Sequence, residues 1–187
     1  GVSSRSENLI LDDKEHLVRR NAAKKACQHL GVELVEFYDM PDNQLDTVSQ
    51  LEVTQLIEGM IDKYKPDTIF THHIGDVNID HQCVHKAVMT ACRPQQGSTV
   101  KLILSFEVPS STEWLFPGSA PSFAPNWFID ISETIDKKLE ALMAYETELR
   151  EWPHPRSLKG VTHLACWRGA TIGVNSAEAF MLCRNIV

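Results

Sequence analysis

The sequence contains no Cys-x-x-Cys pair and no Gly-x-Gly-x-x-Gly turn. No apolar run approaches the roughly 18 residues a bilayer-spanning helix needs, so no membrane span is expected. Five cysteines (Cys27, Cys83, Cys92, Cys166, Cys183) are odd in number and scattered, which suggests neither a disulfide framework nor a thiolate zinc site. Reduced, mostly buried thiols in a cytoplasmic protein are the expectation. A basic excess is lacking as well. Lys and Arg number 18 against 25 Asp and Glu, and the net charge of −7 argues against a nucleic-acid binder. No basic-then-apolar leader opens the chain. The absent glycine-rich turn weakens a nucleotide-dependent oxidoreductase. What remains, 187 residues with 43% apolar and 23% charged, fits one globular domain over residues 1–187 with enough chain to bury a core.

After a loop over Gly1–Ser6, the pattern predicts a helix from Asp12 to Leu30, with Leu17, Ala22, Ala26 and Leu30 near a 3.6-residue period. Asp12 or Asp13 would cap it and Gly31 would stop it. Val32 to Tyr38 reads as a strand, Asp39 to Asn43 as a turn, and Val48 to Lys65 as a helix ended by Pro66. A strand over Asp67–Thr71 follows, then a helix from about Asp80 to Cys92 and a strand over Val100–Phe106. Glu107 to Asn126 holds four of the nine prolines and is expected to be irregular. A short strand at Trp127–Ile131, a helix from Ser132 to about Glu151, a helical stretch over Val161–Gly169 and a strand over Ala179–Ile186 complete the chain. Helices and strands alternate, so the fold class is α/β, a Rossmann-like and mainly parallel sheet flanked by helices.

Chemistry-bearing residues concentrate between Thr71 and His81, where three of the eight histidines, two carboxylates and Asn78 fall within eleven residues. This loop follows a strand and precedes a helix, which is where open α/β sheets place their sites. Asp80 is suited to cap the helix that begins there. His81 and His85, four residues apart, would share one helix face, a spacing that can bind zinc. Two histidines do not complete such a site, and a surface role for either stays open.

The stretch Thr71-His72-His73 … Gly75-Asp76-Val77-Asn78-Ile79-Asp80-His81 resembles the second zinc motif of the LmbE-like, or PIG-L, deacetylases. Further similarity runs through Gly1–Arg5, Leu30–Val32, Lys65–Asp67, Phe106–Trp114, Pro125–Asn126, Pro153–Ser157, Arg168–Gly169 and Ala177–Phe180. The resemblance implies a Rossmann-like sheet and a metal-dependent amidohydrolase. It would remove an N-acetyl or other acyl group from an amino sugar or sugar conjugate. Zinc is the implied cofactor, with Fe²⁺ the alternative because His and carboxylate ligands accept both. His81 would be a zinc ligand and Asp80 would orient the site. Asn78 takes a position where several relatives carry a histidine thought to stabilise the oxyanion. His154 is a candidate to protonate the leaving amine. The His-Pro-Asp-Asp motif that supplies the other ligands in relatives does not occur in this sequence. On that pattern the first βα unit lies ahead of Gly1, and the chain as written is expected neither to hold zinc tightly nor to catalyse.

Arg19 matches a pocket-facing arginine of the resemblance, with Arg20 as the register alternative and a solvent-facing role equally open. Glu107, Ser110, Ser111, Thr112, Glu113 and Trp114 offer acceptors, hydroxyls and an aromatic plane suited to a sugar. A loop packed by Trp114 and Phe116 explains them as well. Arg156, beside His154, would face an anionic substrate or cap the next helix. Trp152 and Trp167 are read as core or subunit contacts, which admits a homo-oligomer. The rival to the hydrolase is a non-catalytic Rossmann-like module that binds a sugar nucleotide or a partner protein.

Overall fold

The computed structural model describes residues 9–187, with side chains from His16 onward; the loop expected over Gly1–Ser6 lies outside the described residues. Helix α1 spans Leu9–Leu30, so Asp12 and Asp13 lie within it rather than at its head. It is followed by α2 (Gln50–Tyr64), β1 (Thr68–His72), α3 (Ile79–Ala91), β2 (Leu102–Phe106), β3 (Trp127–Asp130), α4 (Ile135–Met143), α5 (Leu158–Ala170) and β4 (Ala177–Asn185). The strands form a four-stranded sheet in the order β1-β2-β4-β3. It is a mixed α/β fold. The residues divide into two compact units, one running to Asp42 and resuming over Ile129–Glu178, the other comprising Asn43–Phe128 and Ala179–Val187.

The second unit contains the focal stretch. Its strand β1, Thr-Ile-Phe-Thr-His, is β-branched and aromatic, which suits a half-buried pleated surface. Lys65 ends α2 in the left-handed conformation, its N–H bonding back to Ile61 O at 2.8 Å, and Pro66 prevents the helix from resuming. β1 pairs parallel with β2 from Thr68↔Leu102 to His72↔Phe106, with α3 as the crossover. β4 pairs antiparallel with β2 and shifts register between Ile103 and Leu104. Val88, Cys92, Val100 and Ile103 form the buried cluster, with Ile57 and Ile61 of α2 and Ile69 of β1 packed against it. Because Val84, Val88 and Cys92 recur every four residues, α3 presents one apolar stripe to the sheet.

In the first unit α1 packs on α4 through small residues, with Ala22, Ala26 and Ala141 all buried. Ser157 caps α5, its side chain accepting from Gly160 N at 2.9 Å. Gly169 of α5 is required by close approach, since a Cβ there would lie 2.7 Å from the Ser176 backbone.

Three expectations are corrected. Val32–Tyr38 is not a strand, and Val32, Leu34 and Tyr38 are exposed. Alternation fits a segment for a sheet, but a strand forms only where a neighbour supplies the ladder, and among the described residues this segment has none. Helix α4 stops at Met143 rather than continuing to Glu151, because the chain tightens into successive turns in which Tyr145 N bonds Leu142 O and Glu148 N bonds Tyr145 O. Trp152 and Trp167 are exposed, which removes the core alternative for them, and Cys166 and Cys183 are exposed rather than buried.

Ile103 is fully buried at the centre of the second unit's cluster. Ile103→Ala should destabilise the protein by about 2–5 kcal/mol, read from urea unfolding midpoints. An exposed control, Leu51→Ala, should cost under about 0.5 kcal/mol.

Candidate functional site

Two loops leave the carboxyl ends of the parallel strands β1 and β2 side by side, residues 73–78 and 107–116. They are tied together by Val77 N, which bonds Ser111 O at 3.3 Å, and by His73 N, which bonds Phe106 O at 3.1 Å. The first loop turns at Gly75. A Cβ there would sit 2.0 Å from Pro121 O and 2.8 Å from His73 Nε2, so glycine is needed for that approach. His73 is buried, its Nε2 lies 2.9 Å from Pro121 O, and its ring meets Phe123 edge-on. A carbonyl only accepts, so that nitrogen carries the proton.

Asp76 is the most enclosed charged residue of the loop, with no exposed surface. Its Oδ1 accepts from Asn78 N at 2.8 Å and from the Ser111 hydroxyl. Its Oδ2 accepts from the Thr112 hydroxyl at 2.9 Å and lies 3.1 Å from His81 Nδ1. That last approach is close enough for a charge contact but out of line for a well-formed hydrogen bond. Burial alone would raise the carboxyl's pKa. The contacts from His81, Ser111 and Asn78 outweigh it and hold the value at about 2, against an ordinary 3.8.

Asn78, and not Asp80, caps α3: its side-chain oxygen accepts from Asp80 N at 2.8 Å and His81 N at 3.4 Å. Its amide nitrogen donates to Asn43 Oδ1 at 3.2 Å. Asp80 faces the turn before α2, accepting from Asn43 N at 2.6 Å and Leu45 N at 2.9 Å. Both of its oxygens are thereby occupied by backbone amides, and the carboxylate beside His81 is Asp76.

His81 occupies the first turn of α3, its side chain 20% exposed. His72 stacks on it, ring centroids 4.1 Å apart and planes within 16°. Burial, reinforced by the neighbouring His81, lowers the His72 pKa to about 4 and keeps that ring neutral, although Asp76 pulls the other way. His85, expected to share a face with His81, lies 2.8 Å through Nδ1 from the His72 carbonyl, and burial lowers its pKa.

In the second loop, Glu113 folds back onto its own backbone, accepting from Ser110 N at 2.6 Å and Ser111 N at 3.3 Å. Ser110 adopts a positive φ of 66°, Glu107 is half-buried, and Trp114 is exposed. Arg19, His154 and Arg156 belong to the first unit. There Arg19 lies 3.8 Å from Asp42, Arg156 bonds Glu148 at 2.8 Å, and Arg156 N bonds His154 Nδ1 at 3.1 Å. Sequence reasoning gave Asp76 no part of its own and read Ser111 and Thr112 as hydroxyls for a sugar, whereas both bond Asp76. Asp76–Asn78 carries the local signal of a side chain bonding the backbone two residues on, but Ser111 and Thr112 stand 35 and 36 residues away.

Among the described residues no group of three His, Cys, Asp or Glu side chains is placed to share a metal ion. The donor chemistry at His81 nevertheless suits a single ligand. A carboxylate beside Nδ1 is the usual partner of an imidazole that binds a metal through Nε2. Nor, among the described residues, is any helix long and apolar enough to cross a membrane.

Known proteins resemble this chain in sequence and in fold. The family model of GlcNAc-PI de-N-acetylases (PIG-L) matches residues 3–92. An uncharacterized deacetylase of Escherichia coli K12, YaiS, is 30% identical over 141 residues, 71% of this chain and 65% of its own length. The chain therefore spans just under two thirds of that curated relative. The conserved protein TT1542 of Thermus thermophilus superposes with a TM-score of 0.69 at 19% identity, covering 91% of this chain and 75% of its own. N,N'-diacetylchitobiose deacetylase of Pyrococcus horikoshii superposes at 0.70 with 16% identity, covering 90% and 64%. At those identities the two structures establish the fold.

His72 and Asp76 set a pH dependence, to which His85, lowered by burial as well, adds in the same direction as His72. His72 has a folded value near 4, below the ordinary 6.5, so the unfolded chain takes up a proton first as pH falls. Stability should therefore decline between pH 6.5 and 4, by about 2–3 kcal/mol from this ring. Asp76 contributes stability that is present above its ordinary value and lost as pH falls from 3.8 towards 2. Urea unfolding of the metal-free protein in chelator, at pH 6.5 and 4, should show the first drop, and His72→Phe should reduce it, leaving the part due to His85.

Proposed function

We propose that the protein is a metal-dependent N-deacetylase of the PIG-L (LmbE-like) type, acting on an amino sugar or sugar conjugate, a reading supported by the family model over residues 3–92 and by the deacetylase relative. The observation that carries this reading is the presentation of His81. It stands in the first turn of α3 beyond the carboxyl end of β1, inside the family-matched segment, with the side chain one-fifth exposed, Asp76 against Nδ1, and Nε2 the nitrogen not facing that carboxylate. Zinc fits that nitrogen, and when bound it would polarise the acyl carbonyl and acidify a water.

The chain's own residues supply the rest of the proposal. His81 Nε2 would be one metal ligand. Asp80 fixes the turn at Asn43–Leu45 to the start of α3, and Asn78 both caps α3 and bonds Asn43, so the two hold the helix end that carries His81. The loop after β2 would meet the sugar. Trp114 offers an exposed aromatic face, and the Ser110 hydroxyl and Glu107 offer polar contacts. Glu113, already accepting two backbone amides, would fix that loop's shape.

Zinc content and release of acetate from N-acetylglucosamine conjugates test the proposal on the full-length protein. His81→Ala should remove bound zinc to trace level and lower deacetylation by about 100-fold or more. Trp114→Ala should raise KM with less effect on kcat, by about 1–2 kcal/mol of lost binding. A protein whose zinc content and deacetylation are both indifferent to His81→Ala would overturn the reading. Sugar binding retained without turnover would favour a non-catalytic binding module.

A further inference from the structure

We infer that Asp76 is the positioning residue that fixes which ring nitrogen of His81 is available to a ligand, and that the Ser111–Thr112 turn of the next loop holds Asp76 to this task. The inference rests on reading His81 as a ligand-bearing residue and goes beyond it, to how one tautomer is enforced.

The hydrogen bonds around Asp76 leave little freedom. Its Oδ1 faces the backbone N–H of Asn78, a donor that cannot reverse, so an acceptor must stand there. The Ser111 hydroxyl donates to the same oxygen. Oδ2 faces the Thr112 hydroxyl, which is itself committed as acceptor for Val108 N at 2.8 Å and so turns its hydrogen towards Asp76. The remaining neighbour of Oδ2 is His81 Nδ1 at 3.1 Å. A fully buried acceptor opposite Nδ1 favours the Nδ1–H tautomer and leaves the Nε2 lone pair bare. His72, stacked flat on the ring, limits its rotation.

Asp80 is turned elsewhere: its two oxygens reach Asn43 N and Leu45 N at the turn before α2. Asp76→Asn is the informative change because it keeps the shape. The Asn78 N–H forces the amide oxygen into the Oδ1 position and the NH₂ group into the Oδ2 position. His81 Nδ1 would then face a donor and have to accept. Its proton would move to Nε2 and block the nitrogen that a metal needs.

The test uses protein labelled with ¹⁵N at histidine, in which protonated and bare ring nitrogens resonate far apart. The metal-free wild type should show His81 as Nδ1–H, Asp76→Asn as Nε2–H, and the exposed-surface control Leu51→Ala as the wild type. Zinc affinity, measured by chelator competition, should fall about 10–100-fold in Asp76→Asn and stay within about threefold in Leu51→Ala. If Asp76→Asn does not fold, Ser111→Ala carries the test, with zinc affinity expected to fall about 3–10-fold. A His81 tautomer unchanged in Asp76→Asn, or, should that variant not fold, zinc affinity unchanged in Ser111→Ala, overturns the inference. Zinc affinity indifferent to His81→Ala overturns instead the reading of His81 as a ligand.

Discussion

A carboxylate fully removed from water must be met by donors on every side, and Asp76 meets that requirement by drawing on three separate pieces of chain. The backbone of Asn78, the hydroxyls of Ser111 and Thr112 and the ring of His81 converge on its two oxygens. Removal of any one leaves a buried charge under-satisfied, which costs more than the bond itself contributes. The loop after β1, the loop after β2 and the first turn of α3 are therefore fixed to one another through a single side chain.

The sheet makes that convergence possible. Parallel pairing of β1 with β2 brings the loops that follow both strands to the same edge, and the crossover α3 begins there. Gly75 lets the first loop pass against Pro121, and the Asn78 cap sets where α3 starts and hence where His81 stands. Behind these loops, Ile103 and Val88 anchor strand and helix in one apolar cluster. The core positions the polar site without taking part in it.

Much of this was legible in the sequence. Apolar periodicity marked α2, α3 and the strands that bear the loops, and the density of titratable groups from His72 to His81 marked the site. Legibility failed where a residue's partner is distant in the chain. Val32–Tyr38 has the alternation of a strand, yet pairing is a property of two segments, and no neighbour among the described residues supplies the ladder. Asp80 looks like a cap and an orienting carboxylate in sequence. In space its oxygens are claimed by amides 35 and 37 residues upstream. The nearer carboxylate, Asp76, has that contact with His81.

Local order alone decided that a strand, a polar loop and a helix would follow one another here, because hydrophobic period, turn chemistry and capping act over a few residues. It also carries the central part of the resemblance to the PIG-L deacetylases, whose residues stand close together from Thr71 to His81. Tertiary structure decided the protonation pattern: His72 neutral, Asp76 charged, His81 with one nitrogen turned to a carboxylate. Burial and donor geometry set those states, and both arise only when Ser111 and Thr112 are brought across the sheet edge to Asp76.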